Sequence, residues 1–399
     1  MGSANLAHIN PEIITWALKR RSVSPEQIAT KQLTATQIRA WETKHALPTH
    51  AQAQALADKL RIPLLVFFLS KAPALELEIP DLRTASGTPD ASPSTEFMQV
   101  INDALVRQDW YRELEESRAA RPRQFVGTFS RNWNVNAVAT EIAKALGIEQ
   151  LRREARSWKE FLEELISRTE HLGILVFRSA VVGNATNRKL SVKEFRGFVL
   201  SDALAPVIFI NDDDAKAAQT FTLVHELAHI WIGATGISDP NLTKRSFELA
   251  NAMERFCNSV AAETLVPAND FNSVWDGQRS LAYNLGALAV RYRVSSVVLL
   301  IRARELGKIS ESTFNAEFKS AMDRFREQDK KEQARLEGSK KKQGGNFWAS
   351  FAIRNSRKFS DLVLSSAKEG HTRFTDAASL LGIGSASFER YLQKLQKST

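Results

Sequence analysis

The sequence predicts a mixed α+β protein, in which a small sheet and one histidine-containing helix are flanked by all-α helical domains. Three observations predict this class. Apolar runs typical of strands occur at residues 173–177, 197–200 and 205–210, and helical patterns dominate on both sides of them. The helix that directly follows the last strand contains His225-Glu-Leu-Ala-His229. The length of 399 residues favours two or three domains, at about 150 residues each.

Composition and charge are those of an ordinary globular protein with a basic excess. Of the residues, 43% are hydrophobic and 25% are charged, and 54 Lys and Arg against 45 Asp and Glu leave a net charge of +9. This balance favours a polyanionic partner such as nucleic acid without requiring one. Cys257 is the only cysteine, which excludes an intramolecular disulfide, and neither a signal peptide nor a membrane-spanning apolar run occurs. We expect a cytoplasmic protein with no membrane partner.

Residues 1–70 are predicted to form an all-α module of four short helices. Ser24 and Thr34 each precede a helical pattern as N-cap residues, so a short turn joins the second and third helices. In a helix-turn-helix module the second helix of such a pair enters the major groove of DNA, where Gln and Arg contact base edges. The polar side of this helix carries Gln37, Arg39 and Lys44. A small helical domain with a solvated polar face explains the same pattern equally well.

Composition changes mark the other predicted domain boundaries. Residues 71–95 are rich in proline and small polar residues and form a predicted linker, and a charged stretch at residues 326–345 forms a second one. Between them we expect a helical region at residues 96–172 and the strand-containing domain at residues 173–325. Residues 346–399 are predicted to form a basic helical domain. This domain has three possible roles: it could bind nucleic acid, it could bind a protein partner, or it could be a small structural cap.

His225 and His229 are predicted metal ligands. They are four residues apart, which places both imidazoles on one face of the helix. Two neutral imidazoles at this spacing can share a zinc ion, whereas Glu226 is angled to hold a water molecule and to act as the catalytic residue. With 7 histidines in 399 residues, the chance of an accidental match is about one per cent.

A third protein ligand is needed, because catalytic zinc sites use three and keep one position for water. The next predicted helix, residues 246–265, offers Glu248, Glu254 and Glu263. We favour Glu254, because Asn258 lies one turn further on the same face and suits the second N–H of a ligating histidine. Glu248 in the first turn is explained by the helix dipole, and Glu263 lies near the helix end. A solvated carboxylate is the alternative role for Glu254.

These residues resemble the ImmA/IrrE family of zinc metallopeptidases. The resemblance rests on His225-Glu-Leu-Ala-His229 and on residues 254–267, where a Glu is followed by Asn four residues on and by Leu-x-Pro. Cys257 stands where the family usually has Ala, and Val260 where it usually has Phe. The resemblance covers roughly residues 170–310.

The resemblance implies a minimal gluzincin-like metallopeptidase domain with one Zn²⁺ per chain, held by His225, His229 and Glu254. It also implies an endopeptidase whose substrate is a small helix-turn-helix repressor or antitoxin encoded nearby, in a prophage, stress-response or toxin–antitoxin module. Glu226 would take the proton of the attacking water and pass it to the leaving amine. The alternatives are a DNA-binding transcriptional regulator with a non-catalytic zinc site and an interaction protein that does not cleave its partner.

The N-terminal module resembles XRE-type helix-turn-helix domains, which are often fused ahead of these peptidases. The resemblance rests on Ala40-Trp41-Glu42 and Pro48-Thr49. The turn at residues 31–34 departs from the usual pattern, because it lacks the glycine that supplies a positive φ at little cost. The resemblance implies DNA as a further partner.

Overall fold

The computed structural model describes residues 6–71, 93–237, 249–327 and 351–396, except residues 21, 22, 31, 32, 61, 63, 132, 215, 322, 325, 326 and 352. The predicted linkers at residues 71–95 and 326–345 lie almost entirely outside the described residues. The chain separates into two compact units, one of residues 1–78 and 90–99 and the other of residues 79–89 and 100–399. The finer division into six segments stays a prediction.

The first unit is built from short helices, as the sequence predicts. Their bounds are α1 Pro11–Arg20, α2 Pro25–Ile28, α3 Ala35–Glu42, α4 His50–Leu60 and a 3-10 helix Leu64–Phe68. Thr34 caps α3 as predicted: its hydroxyl accepts from the Gln37 N–H, and the Gln37 side chain accepts from the Thr34 N–H. Ile14, Ile38 and Leu56 are fully buried and belong to one apolar core.

Helices make up most of the remaining described chain. Their bounds are α5 Thr95–Ser117, α6 Val135–Leu146, α7 Ile148–Glu154, α8 Trp158–His171, α9 Lys216–Ile232, α10 Leu249–Leu265, α11 Ala268–Val274, α12 Leu281–Tyr292, α13 Ser296–Glu305, α14 Arg357–Lys368, α15 Phe374–Leu380 and α16 Ser385–Gln396. Gly147 ends α6 with a φ of +58°, a conformation that glycine adopts at little cost. Within the described residues no helix on its own is long and apolar enough to cross a membrane, although α12 and α13, bent by 110°, reach that length and composition together.

The second unit contains a small mixed sheet. Its strands have the bounds β1 Leu175–Ser179, β2 Val181–Val182, β3 Ala185–Lys189, β4 Gly197–Leu200, β5 Val207–Asn211 and β6 Gly236–Ile237. The order is β1-β5-β4-β6, with β1 parallel to β5 and β4 antiparallel to both β5 and β6, and β2 pairs with β3 separately. The predicted mixed α+β class is therefore confirmed.

Two predicted strand starts were wrong by two residues. The first strand begins at Leu175 and not at residue 173, because Gly173 has a φ of +90° and cannot extend the strand. The last begins at Val207 and not at residue 205, because the preceding Pro206 has no N–H for the ladder. The Leu175 N–H donates to the Pro206 carbonyl at 2.9 Å, which sets the register of the two parallel strands.

Helix α9 lies at the centre of the second unit. Leu223, Val224 and Leu227 along it are fully buried, and the helix packs on β4 and β5 on one side and on α10 on another. A helix that is apolar nearly all round suits this central position. Since α9 and α10 both belong to one hydrophobic core, their relative position is fixed by packing, and so is the position of the polar side chains they carry between them.

Candidate metal centre

Helix α9 brings the two predicted histidine ligands together. The Nε2 atoms of His225 and His229 are 3.1 Å apart, and the side chains lie one helical turn from each other. His229 is fully buried and His225 is 4% exposed. Both imidazoles therefore point into a protected site between α9 and its neighbours.

Helix α10 supplies the third predicted ligand. Glu254 Oε2 lies 3.3 Å from His225 Nε2, and Glu254 Oε1 lies 3.1 Å from His229 Nε2. The alternative Glu263 is engaged elsewhere, in an ion pair with Arg302 and as acceptor of the Ala268 N–H. The other alternative, residue 248, lies outside the described residues. The structure thus brings Glu254, and not Glu263, to the histidines.

The charges of the site favour a bound cation. Burial raises the pKa of Glu254, but the two adjacent histidines outweigh it, so the net pKa lies well below its usual range. Burial likewise lowers the pKa of His225, but the nearby Glu254 and Glu226 carboxylates and Asn258 outweigh it and raise the net value. A proton or a metal ion between these groups is therefore stabilised.

The donor set fits a zinc ion. Zinc prefers imidazole nitrogen and carboxylate oxygen at about 2.0–2.2 Å in a tetrahedron, and the edge of such a tetrahedron is about 3.3 Å. The two Nε2 atoms are 3.1 Å apart, close to that edge, and each lies 3.1–3.3 Å from one of the two oxygens of Glu254; with one donor atom from each residue, all three lie within 4.8 Å of one another. These three side chains, all buried, form a group able to hold a metal ion. Glu226 is not one of the three, but its carboxylate is near enough to raise the pKa of His225.

Asn258 stands beside His225, where the sequence places it as a support for a ligand. It contributes to the raised pKa of His225. Both Asn258 Oδ1 and His225 Nδ1 are buried, and neither has a well-formed hydrogen bond within the described part of the chain. An imidazole that binds metal through Nε2 keeps its proton on Nδ1 and needs an acceptor for it, which Asn258 Oδ1 can provide.

Glu226 and Cys257 are two further buried side chains near the candidate metal ligands. Glu226 is fully buried, and a Cβ built on Gly197 would lie 2.7 Å from its Oε1, so the first residue of β4 must be small where the carboxylate rests. Sequence reasoning missed Gly197; the signal was a glycine opening an otherwise apolar strand. Cys257 is fully buried, and burial raises the pKa of its thiol, which disfavours the thiolate that metal binding requires.

The predicted DNA-contacting side chains lie in the first unit. Gln37 is committed to the cap of α3 through its 2.9 Å hydrogen bond from the Thr34 N–H. Arg39 forms an exposed ion pair with Glu26 at 2.6 Å. Lys44 lies in the turn after α3 with a φ of +61°. Their role in DNA binding stays a prediction.

Comparison with known protein families gives two matches, both within the second unit. Residues 169–304 match the Peptidase_M78 family model, described as an IrrE N-terminal-like domain. Residues 355–394 match a domain of unknown function, DUF8813. No match was found among curated proteins or solved structures. The first match contains the His225, Glu226, His229 and Glu254 side chains, and together with their geometry it supports a metallopeptidase of the ImmA/IrrE type.

Proposed function

We propose that the chain is a zinc-dependent endopeptidase that cleaves a specific regulatory protein. The observation that carries this proposal is the convergence of two imidazole nitrogens and one carboxylate, each within 3.3 Å of the others, beside the buried carboxylate of Glu226. Two histidines and one Glu are a donor set that catalytic zinc sites use. The match to a peptidase family over residues 169–304 supports the same activity.

In the proposed reaction, metal binding, proton transfer and orientation of a ligand are performed by different residues. Bound to His225, His229 and Glu254, zinc would supply a Lewis acid that polarises the scissile carbonyl and lowers the pKa of water toward about 7. Glu226 moves the proton. Its carboxylate accepts the proton of the attacking water, and it donates that proton to the amine as the C–N bond breaks. Asn258 holds the His225 imidazole in the orientation that directs Nε2 to the metal.

The proposed substrate is a small helix-turn-helix repressor or antitoxin encoded nearby. The ImmA/IrrE-type match supports this class of substrate, because the resemblance implies one regulatory cleavage and not bulk proteolysis. DNA is a further proposed partner of the first unit, through Gln37, Arg39 and Lys44. The net charge of +9 supports a polyanionic partner.

The test uses Glu226→Gln, which keeps the size of the side chain but cannot accept a proton. The protein is co-expressed with the repressor-like product of the neighbouring gene, and fragments are identified by mass spectrometry. We expect cleavage to fall by at least about 10²-fold and intact substrate to copurify with the variant. The control is Glu141→Gln, an exposed carboxylate on α6, which should cleave like the wild type.

Two outcomes would replace the proposal. Full biological activity in Glu226→Gln would identify an interaction protein that does not cleave its partner. Salt-sensitive, sequence-selective DNA binding that survives zinc removal, without any cleavage, would identify a transcriptional regulator with a non-catalytic zinc site.

A further inference from the structure

The C-terminal helices α14, α15 and α16 form a packed group of three helices. α15 packs on both α14 and α16, and each helix contributes a fully buried side chain, namely Val363, Ala377 and Phe388. The rings of Phe374 on α15 and Phe388 on α16 have centroids 5.9 Å apart. Packing therefore fixes the three helices relative to one another, and they make up most of the segment that matches DUF8813.

A four-residue turn, residues 381–384, joins α15 to α16. Gly382 in this turn has a φ of +67°, which a residue with a side chain rarely adopts. Its N–H donates to the Ser379 carbonyl at 2.9 Å, and the Ile383 N–H donates to the Ala378 carbonyl at 2.9 Å. In a helix-turn-helix motif a turn of three or four residues, often with a glycine, joins two helices. The connection between α15 and α16 has these properties.

Two polar side chains hold the turn region against the rest of the second unit. Arg107 on α5 donates from Nε to the Leu380 carbonyl at 3.1 Å. Asn184, between β2 and β3, donates from its amide to the Gly382 carbonyl. The motif is therefore fixed to the unit that contains the candidate metal centre.

The first half of α16 presents an exposed face. Ser385, Ala386, Glu389 and Arg390 are all exposed, whereas Phe388 between them is fully buried. Residues three and four apart are neighbours on a helix surface, so the four exposed side chains lie together. In helix-turn-helix proteins the N-terminal residues of the second helix are the ones that contact base edges in the major groove.

The exposed side chains of α16 are of types that read base edges. Arginine donates two hydrogen bonds to guanine, glutamate accepts from the cytosine amine, and alanine contacts the thymine methyl group. Within the described part of the chain Arg390 donates one hydrogen bond, from Nε to the Ala386 carbonyl at 3.3 Å, which leaves both Nη atoms available. Lys368 at the end of α14 and Arg373 directly before α15 are also exposed, and such side chains pair with phosphates.

Charge and composition favour DNA over a protein partner for this face. Residues 346–399 contain 8 Lys and Arg against 4 Asp and Glu, so they hold +4 of the net charge of +9 of the chain. A basic excess of this kind suits a polyanion. Protein interfaces are depleted in serine, alanine and glutamate, which are three of the four residues exposed here, and enriched in aromatic residues, which this face lacks.

We propose that α15 and α16 bind double-stranded DNA, with α16 in the major groove and Arg390 and Ala386 against base edges. This surface differs from the DNA contacts proposed for the first unit, and it does not depend on the proposed peptidase activity. Since the metal centre and α16 belong to the same compact unit, DNA bound at α16 holds that centre at a DNA site.

Selection from a pool of random-sequence DNA duplexes tests this surface when its binding site is unknown. The protein is the full chain with Arg39→Ala, which removes a predicted contact of the first unit. We expect one consensus to be enriched, and its affinity, measured by fluorescence anisotropy, to fall between about 50 and 200 mM salt. Enrichment of no consensus, or binding without salt dependence, overturns the proposal.

Two variants of α16 assign the binding to this helix. In the Arg39→Ala chain, Arg390→Ala should weaken binding of the enriched duplex at least about tenfold and relax the preference at one base pair. Ala386→Glu should weaken it as well, because it adds a carboxylate that faces the DNA. Both positions are exposed, and thermal unfolding checks the fold. The matched control is Arg153→Ala, an exposed arginine on α7, which should bind like the parent chain. Unchanged binding in either folded α16 variant overturns the proposal and leaves this face to a protein partner.

Discussion

Gly197 and Glu226 lie against each other, and the Glu226 carboxylate rests where a side chain at position 197 would begin. A Cβ at Gly197 would come within 2.7 Å of Glu226 Oε1, 2.9 Å of the Phe209 carbonyl and 3.0 Å of Thr222 Cγ2. Phe209 belongs to β5 of the sheet, and Thr222 lies one helical turn before Glu226 on α9. The glycine therefore links the strand pairing of β4 to the position of the carboxylate.

Gly197→Ala should lower cleavage while leaving zinc bound. A displacement of about 1 Å at a catalytic group costs roughly 10²-fold in rate, and overpacking costs about 1–3 kcal/mol of stability. Cleavage assays, metal analysis and urea unfolding measure the three quantities. The control is Gly277→Ala, since a Cβ there meets nothing within 4 Å. Wild-type activity in Gly197→Ala would show that the carboxylate does not depend on this contact.

Asn258→Ala should weaken zinc binding without abolishing it. Asn258 Oδ1 is the acceptor we propose for the Nδ1 proton of His225, and loss of such a support for a ligating imidazole typically costs about 10- to 100-fold in metal affinity. Competition with a zinc chelator of known affinity measures the change. Ser259→Ala, at the next residue of α10, is the matched control. Equal zinc affinity in both variants would remove Asn258 from the site.

The metal-free protein should lose stability as the pH rises above the histidine range. The raised pKa of His225 gives stability that is present below the ordinary value of 6.5 and is lost as pH rises through the folded value. The lowered pKa of Glu254 gives stability that is present above 4.5 and is lost only as pH falls through its folded value. The pair therefore stabilises the chelator-treated protein most between these two ordinary values.

Thermal unfolding of the chelator-treated protein at pH 5.5 and pH 8.5 measures this effect. The drop in melting temperature between the two should be smaller in Glu254→Gln, because the glutamine cannot stabilise a protonated His225. The same drop in wild type and variant would show that the carboxylate and the imidazole are not coupled.

The local part of the site could be predicted from the sequence, and the contacts between distant segments could not. The spacing of His225 and His229 fixes their geometry on one helix, and Glu254 with Asn258 repeats that spacing on another. Gly197 lies 29 positions before Glu226, and no periodicity within either segment reports that a strand backbone meets the carboxylate. The need for a third zinc ligand and the Glu254–Asn258 spacing paired the two helices, and the family resemblance implied the same pairing.

The strands show the same limit. β4 was predicted at its observed bounds, because the apolar run Gly197–Leu200 in the sequence coincides with the whole strand. The β2–β3 hairpin was missed, since the partly exposed sequence Ala185–Lys189 has no apolar alternation. The two-residue β6 was missed because its pairing with Phe198 and Val199 depends on where α9 ends. Short strands of this kind are set by tertiary contacts and not by local preference.

Zinc content per chain tests the central claim most directly. Elemental analysis of the purified wild type and of Glu226→Gln should give one zinc per chain, and Glu254→Ala should lose most of it, because two histidines alone hold the ion weakly. Glu263→Gln, which changes a carboxylate engaged with Arg302, should keep its zinc. Full zinc in Glu254→Ala together with its loss in Glu263→Gln would contradict the assignment of the third ligand, and with it the site described for this protein.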